Sequence, residues 1–267
     1  LNSAGLWDSF RERPFDRVPN INSKPNYIFV NCCRKDPLEL TPNLIISKEN
    51  NFFDLGLDVL EELVEDAVFL CGNEEIETAN ENVEKFLISG KYPSGNSSAH
   101  IYKICPIRKS KKTWTISWQD VIRIGKYIST KSYCFDKYVS VTGSACVEPK
   151  LLKTVSGASL TELTAGNTNK ESRLISGSAL YGTSGDSYTS YLTRYSDQVT
   201  IISDERKANL FNWLKLGEKD HSATNVFLSS ITKPEKFDFD TNVNGGYRAI
   251  VPIGVFDEVN IFDIDPT

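Results

Sequence analysis

Long apolar runs are missing from this chain of 267 residues. A membrane-spanning helix needs about 20 predominantly apolar residues in succession, and no stretch of the sequence approaches that length. The first ten residues also lack the charged start and apolar run of a secretory signal. We therefore predict neither a membrane span nor a signal peptide within this sequence.

Ligands for metal centres are scarce as well. The sequence has two histidines and six cysteines, and no two cysteines form a Cys-x-x-Cys pair. Zinc sites and iron–sulfur clusters need closely spaced soft ligands, so we predict no metal site. The cysteines are expected to be reduced and mostly buried. Cys32 and Cys33 follow the first predicted strand, where they are either buried thiols or a redox pair.

Basic residues are not concentrated. Lys and Arg number 30 against 35 Asp and Glu, which gives a net charge of −5. Nucleic-acid binding needs a concentrated basic face, so no nucleic-acid partner is predicted. The sequence also has no Gly-x-Gly-x-x-Gly fingerprint for a dinucleotide and no Ser/His/Asp arrangement, so we assign no catalytic residue.

Strands and helices alternate over residues 1–142. This pattern is typical of a parallel sheet with helices on both faces, and it predicts a Rossmann-like α/β domain. Asp120 and Arg123 are interpreted as a pair on a helix surface. The predicted strands are Asn26–Val30, Ala67–Cys71, His100–Ile107 and Tyr138–Thr142, and the predicted helices are one from Asn50, Glu74–Leu87 and Trp114–Ser129.

Residues 143–204 change to short β segments punctuated by glycine, around one short helix that Ser159 can cap. We predict a small β-grasp α+β domain there, with strands Leu151–Val155, Arg173–Ser176 and a hairpin of Tyr188–Tyr195 with Gln198–Ile202. Residues 205–267 are predicted to form a connecting helix, Glu205–Leu214, and a β-like segment that leads to a further domain.

Several short runs occur in one order along nearly the whole chain. Together they resemble the A subunit of the sodium-translocating NADH:quinone reductase, which is related to the flavin-binding subunit of respiratory complex I. The runs are Ser3–Trp7, Arg13–Phe15, Ile28–Asn31, Asp36–Leu38, Gln119–Ile122, Thr154–Leu160, Arg173–Leu180, Leu210–Trp213 and Val251–Gly254.

The resemblance implies a Rossmann-like domain followed by a β-grasp domain of the SLBB type, in an internal stretch of a longer protein. It implies a complex that oxidises NADH, reduces ubiquinone and pumps sodium from cytoplasm to periplasm. Flavins, an iron centre and ubiquinone are expected in that complex. This chain is expected to lie on the cytoplasmic side of the bacterial inner membrane, as a peripheral partner of membrane subunits.

The glycine-rich loop that lies against the flavin in the complex I relative is degenerate here. The matching stretch, Ala4–Pro14, keeps one glycine and gains Trp7, Asp8 and Glu12. Glycines allow the backbone to approach a phosphate, and carboxylates would repel one. We therefore expect the flavin site to be lost and the chain itself to carry no cofactor.

The same stretch offers candidates for a quinone site. Quinone sites combine aromatic walls with a few hydrogen-bond donors, which Trp7, Phe10 and Phe15 with Arg11 and Arg13 would supply. The alternative is an ordinary cluster of core and interface residues. At the level of function, two alternatives to a cofactor-free subunit stay open, namely a flavin- or nucleotide-binding electron-transfer protein and a pure protein-interaction scaffold.

Overall fold

A computed structural model of the chain describes residues 1–108, 111–168, 171–184, 190–204, 216–220 and 227–234. The chain divides into two compact units, Leu1–Ser203 and Asp204–Thr267. The first unit contains two five-stranded sheets. An α/β part followed by a small β part confirms the predicted fold class.

The first sheet has the strand order β1-β5-β2-β3-β4. Strands β5, β2, β3 and β4 are parallel, and β1 is antiparallel at the edge. The central strands are rich in β-branched and aromatic residues, as expected for strands buried on both faces. The bounds are β1 Arg11–Arg13, β2 Tyr27–Cys32, β3 Ala67–Gly72, β4 Glu84–Leu87 and β5 Thr113–Ser117.

Helices cover both faces of this sheet. On one face α2 and α4 pack against each other and enclose the main core, and on the other α3 contributes Ile101 to a core with Phe29 and Phe69. Gly56 and Gly125 lie where α2 and α4 cross, and each faces the backbone of the other helix. The bounds are α1 Asn43–Ile46, α2 Asn50–Leu63, α3 Ser97–Ile104 and α4 Trp118–Thr130.

The predicted helix Glu74–Leu87 is wrong. Only its end is regular, and that end is strand β4. The preceding segment runs along α2, where Thr78 bonds to Asp54, Asn80 to Asp58 and Asn82 to Glu61. Asn and Thr side chains that bond in this way compete with helical backbone bonds, which explains the irregular path. The acidic face of α2 is therefore partly covered.

The predicted strand His100–Ile107 is also wrong, because Ser97–Ile104 is helix α3. The predicted helix Trp114–Ser129 is correct only from Trp118 onward. Its first residues form strand β5, and the Ser117 side chain then accepts a hydrogen bond from the Asp120 amide as an N-cap. Thr, Trp and Ile favour a β-strand, so the chain stays extended through β5 and the helix begins only after its N-cap, Ser117.

The second sheet has the order β7-β6-β10-β8-β9, with β6 and β10 parallel at its centre and the other pairs antiparallel. A helix lies between two hairpins and the last strand returns beside the first, which is the predicted β-grasp topology. Strand β6 opens this sheet, whereas the sequence pattern assigned it to the first one. The bounds are β6 Asp136–Thr142, β7 Lys150–Val155, α5 Leu160–Leu163, β8 Ser172–Ser176, β9 Thr183–Ser184 and β10 Gln198–Ser203.

Within the described residues the predicted hairpin before Gln198 does not form. Strand β10 pairs with β6 and β8, and residues 190–192 bond instead to the segment 157–160, with an isolated bridge between Tyr191 and Ser159. The predicted helix Glu205–Leu214 and the β-like segment 237–267 lie outside the described residues. In the second unit the described residues include one short helix, α6 Ser229–Thr232. Of the helices in the described ranges none has the length and hydropathy of a membrane span.

Candidate functional site

A cavity lies at the carboxyl ends of the parallel strands β2 and β5. The chain passes from β2 through α2 to β3 on one side, and later returns through α3 to place β5 on the other side of β2. The strand order therefore reverses between β2 and β5. In open α/β sheets, ligands bind outside the carboxyl ends of the strands at such a reversal.

This switch-point cavity has a volume of about 200 Å³. Its lining comes from the α/β part, from strand β6 and from the segment that precedes β10. The lining residues are Ser9, Arg11, Arg13, Asp16, Asn31, Lys35, Ser97, Thr115, Ile116, Ser117, Gln119, Asp120, Arg123, Lys137, Arg194, Tyr195 and Asp197.

A buried carboxylate, Asp197, joins the two sheets on one side of the cavity. Its oxygens lie 3.1 Å from Lys35 Nζ and 3.1 Å from Lys137 Nζ, and Gln119 Nε2 donates to it at 3.0 Å. Gln119 also bonds to both backbone groups of Tyr138 in β6, donating to its carbonyl at 2.9 Å and accepting from its amide at 2.8 Å. Helix α4 is thereby hydrogen-bonded into the second sheet.

The ion pairs of Asp197 with Lys35 and Lys137 determine the charge of these side chains. Burial by itself would raise the pKa of Asp197, but the attraction of Lys35 and Lys137 holds that pKa at about 2. Burial would lower the pKa of Lys35, and Asp197 and Glu39 raise it above its ordinary value instead. Asp197 is therefore ionised and Lys35 charged at neutral pH.

The pKa of Glu39 is raised, whereas that of Asp197 is lowered. Burial raises the pKa of Glu39 to about 7, and the attraction of Lys35, 3.9 Å away, does not reverse that shift. A carboxyl whose pKa is higher in the folded state binds more protons when folded, so it stabilises the protein at low pH. This stability is lost as the pH rises from about 4 through about 7.

We predict that Glu39→Gln flattens this part of the stability–pH profile. Wild-type protein should lose on the order of 3 kcal/mol through this group between pH 4 and pH 8, and the variant should not. The check is urea unfolding at several pH values, with Glu84→Gln on exposed β4 as the matched control. Identical slopes for wild type and both variants would contradict the prediction.

On the other side of the cavity, Asp120 is shared by two arginines. Its Oδ1 lies 2.6 Å from Arg123 Nη1 and 3.0 Å from Arg194 Nη2. Arg194 also contacts Asp8 at 3.4 Å and donates to Ser9 Oγ at 3.0 Å. Burial lowers the pKa of Arg194, and Asp120 more than offsets this. The predicted surface position of Asp120 and Arg123 is wrong, because both are over nine-tenths buried.

A second cavity of about 490 Å³ adjoins the same two arginines, which line both spaces. Three aromatic side chains form part of its wall. Tyr133 and Phe135 stack with their ring centres 6.2 Å apart, and Tyr127 lies 5.9 Å from Tyr133. The lining residues are Ala4, Gly5, Leu6, Asp8, Arg123, Tyr127, Tyr133, Cys134, Phe135, Val155, Ser156 and Arg194.

The structure separates the five quinone candidates. Trp7 and Phe10 pack with Trp114 in the core, at ring-centre distances of 5.5 to 5.6 Å. Phe15 is 75% exposed, and the guanidinium of Arg17 lies over its ring. The five therefore do not surround one space, and Arg11 and Arg13 alone of the five line the switch-point cavity.

The carboxylates of the degenerate loop do not line that cavity either. Glu12 alternates with Arg11 and Arg13 along β1 and pairs with Arg17 at 3.2 Å. Asp8 lines the second cavity instead. Of the charged residues in this stretch, Arg11 and Arg13 line the switch-point cavity and the two carboxylates do not.

The structure buries half of the six cysteines, where the sequence predicts that most are buried. Cys32, Cys33 and Cys71 are buried, the other three are half-buried, and all six are free thiols. Burial raises the pKa of Cys33 and of Cys71 to about 12, which keeps both protonated at neutral pH. Within the described ranges, no three His, Cys, Asp or Glu side chains come together in a way that could hold a metal ion.

Comparison with protein families matches both parts of the chain. A family model described as "NqrA second alpha/beta domain" matches residues 1–133. A second model, described as "NQRA C-terminal domain", matches residues 138–186. The second match begins inside β6, in agreement with the placement of that strand in the second sheet.

Curated relatives match along the whole chain. They are named as the A subunits of Na(+)-translocating NADH-quinone reductase, and they are 39% identical in Marinomonas sp. (strain MWYL1) and 38% identical in Saccharophagus degradans and Vibrio campbellii. Each alignment covers 100% of this chain and 60% or 61% of the relative. The chain thus spans about 60% of the length of the relatives it matches.

One solved structure shares the fold at low identity. It is an NAD+-reducing [NiFe]-hydrogenase in the air-oxidized state, with a TM-score of 0.50 and 13% identity. The match covers 67% of this chain and 40% of the hydrogenase chain. At this identity the similarity concerns the fold alone.

Proposed function

The chain belongs to the NqrA family, the A subunits of Na(+)-translocating NADH-quinone reductase, and from this premise we propose that the whole protein is part of a complex that oxidises NADH, reduces ubiquinone and pumps sodium from cytoplasm to periplasm. The observation that carries the proposal is the 39% identity over the entire chain. The two family matches, in the same order as the two sheets, support it.

In this proposal the subunit is peripheral, lies on the cytoplasmic side of the inner membrane and docks onto membrane subunits. The flavins and the iron centre belong to other subunits. The small volume of the switch-point cavity, about 200 Å³, supports this assignment, because small-molecule sites begin at roughly 300 Å³. We also propose an α/β domain followed by a β-grasp domain, with the boundary moved from residue 142 to the segment before β6.

A contribution to the quinone site is best placed at the second cavity. Its volume of about 490 Å³ lies in the usual range for small ligands. Tyr133 and Phe135 supply flat aromatic walls, and Arg123 and Arg194 supply hydrogen-bond donors at one end. The sequence predicts the same combination of aromatic walls and hydrogen-bond donors around Trp7, Phe10 and Phe15. We propose the second cavity in place of that position.

A chimeric complex tests the main proposal. The matching residues of the Vibrio alginolyticus NqrA relative would be replaced by this chain, and the purified complex assayed for NADH-driven ubiquinone reduction and for sodium uptake in vesicles. We expect both activities within about tenfold of the parent complex. An assembled chimera no more active than a complex that lacks NqrA would contradict the proposal.

Two further measurements separate the alternatives. A purified full-length protein with a flavin absorption band would favour the electron-transfer alternative over the cofactor-free one. Titration with a short-chain ubiquinone analogue, followed by Trp fluorescence, distinguishes a quinone contact from a pure scaffold. Phe135→Ala should weaken that binding, whereas Phe15→Ala, at an exposed ring outside both cavities, should leave it unchanged.

A further inference from the structure

The switch-point cavity carries an excess of positive charge. Six of its lining side chains are Lys or Arg and three are Asp. Each Asp is shared by two cations: Asp197 by Lys35 and Lys137, Asp120 by Arg123 and Arg194, and Asp16 by Arg11 and Arg13. In each of these groups one negative charge faces two positive charges, so one positive charge is uncompensated within the lining.

Two more carboxyl groups contact these cations from outside the lining. Glu39 lies 3.9 Å from Lys35, but burial raises its pKa to about 7 and so weakens its charge at neutral pH. Asp8 lies 3.4 Å from Arg194 and its side chain is 48% exposed, so water screens this pair. Neither carboxyl group cancels the positive charge that faces the cavity.

One of the lining donors is also unsatisfied. Arg123 has a side chain that is 9% exposed, and its Nε has no hydrogen-bond partner within the described part of the chain. A buried donor without a partner costs about 1 to 3 kcal/mol. Such a group in a cationic cavity is typical of a site that is completed by an anion.

The form of the cavity indicates which anion. Guanidinium groups bind phosphate-type oxygens in pairs, and four of the lining residues are arginines. The volume of about 200 Å³ suits a compact ion. We propose that the switch-point cavity binds a tetrahedral oxyanion of the phosphate class, held between Arg11 and Arg13 at the rim and Arg123 and Lys137 inside.

Calorimetric titration of the full-length protein with inorganic phosphate tests this site. The ionic strength is kept constant with chloride, sulfate is used as a competitor of the same shape, and adenosine monophosphate as a phosphate attached to a larger group. We expect saturable phosphate binding that sulfate displaces. The proposal is wrong if phosphate gives no more heat than chloride, or if the nucleotide binds and inorganic phosphate does not.

Charge variants at the rim locate the site. Arg11→Gln with Arg13→Gln should weaken phosphate binding by about tenfold or more. Arg17→Gln is the control for a nearby arginine outside the cavity: it removes one positive charge, where the double variant removes two, from a side chain that pairs with Glu12 and does not line the cavity. It should change the affinity less than twofold.

Asp16→Asn provides a test in the opposite direction. It removes a half-exposed carboxylate from the rim and should tighten phosphate binding several-fold without disturbing the buried pairs. Unchanged binding in Asp16→Asn together with unchanged binding in the double variant would overturn the proposal. The inference does not depend on the activity of the complex, so its failure would leave the proposed function untouched.

Discussion

Replacing Gly125 by alanine is expected to lower the free energy of unfolding by about 3 kcal/mol or more. A β-carbon at this position would lie 1.8 Å from the carbonyl oxygen of Phe52 in α2. The obstacle is backbone, so no side-chain rotation relieves the clash and the two helices must separate. Their separation would open the core that they share with β2 and β5.

Gly56 faces the same crossing from the other helix. Its β-carbon would lie 2.2 Å from the carbonyl oxygen of Val121 in α4, so Gly56→Ala should be similarly destabilising. Once one alanine has pushed the helices apart, the second meets less resistance. The double variant should therefore cost less than the sum of the two single variants, as coupled neighbours do.

Urea unfolding of the purified full-length protein, followed by Trp fluorescence, measures these effects. Ser129→Ala is the control, because Ser129 is an exposed residue of the same helix and should change stability by no more than about 0.5 kcal/mol. If Gly125→Ala were as stable as that control, the close contact between α2 and α4 would not exist in the protein.

Asp197→Asn is expected to lower the free energy of unfolding by about 3 to 5 kcal/mol. The asparagine has nearly the same shape, but it removes the negative charge and replaces one acceptor oxygen by an NH2 donor. It leaves Lys35 and Lys137 without the carboxylate that lies 3.1 Å from each ammonium. Lys137 is 2% exposed, and an unpaired charge at such depth is strongly unfavourable.

The pH dependence gives this prediction a second measurement. The pKa of Asp197 is held at about 2 by the two lysines, below its value of about 3.9 in an unfolded chain. Its contribution to stability is therefore present above pH 4 and lost as the pH falls from about 4 towards 2. Asp197→Asn should remove this part of the acid-induced loss.

Asp66→Asn is the matched control for the charge change. Asp66 also pairs with a lysine, Lys111, but both side chains are about one-third exposed, and water screens such surface pairs so that they contribute little to stability. Equal destabilisation by Asp197→Asn and Asp66→Asn at neutral pH would show that Asp197 is not a buried link between the two sheets.

The first strands and the long helix of the fold follow directly from sequence patterns. Strands β2 and β3 are compact β-rich runs, and α2 shows clear helical spacing. The short helix Leu160–Leu163 and its cap, Ser159, follow as well, because an N-cap is a local signal. In each case, short-range preference and tertiary environment agree.

The errors occur where side-chain contacts between distant segments decide the structure. The segment before β4 contains good helix formers, yet its Thr and Asn side chains bond to carboxylates of α2. Strand β6 has an ordinary alternating pattern, and a pattern of that kind indicates a strand but not the sheet to which the strand belongs.

Most residues of the switch-point cavity could not be predicted from the sequence, for the same reason. The sequence identifies Arg11 and Arg13 as candidates, but not Lys35, Lys137, Arg194 and Asp197. These four residues are widely scattered along the chain, and nothing in their local sequence marks them as buried. Lys137 directly precedes the predicted strand Tyr138–Thr142 and belongs to strand β6 in the structure. A buried lysine in a strand needs a carboxylate nearby, but the predicted bounds left Lys137 outside the strand.

The paired hydrogen bonds between Gln119 and Tyr138 have a mechanical consequence. The family models meet between residues 133 and 138, which makes that segment look like a linker between independent modules. In the molecule, the side chain of Gln119 in α4 makes two hydrogen bonds to the backbone of Tyr138 in β6, as a neighbouring strand would. Asp197 is hydrogen-bonded to the same side chain. A displacement imposed on the β-grasp sheet would therefore be transmitted through Gln119 to helix α4 and the cavity wall, and the linker would not absorb it.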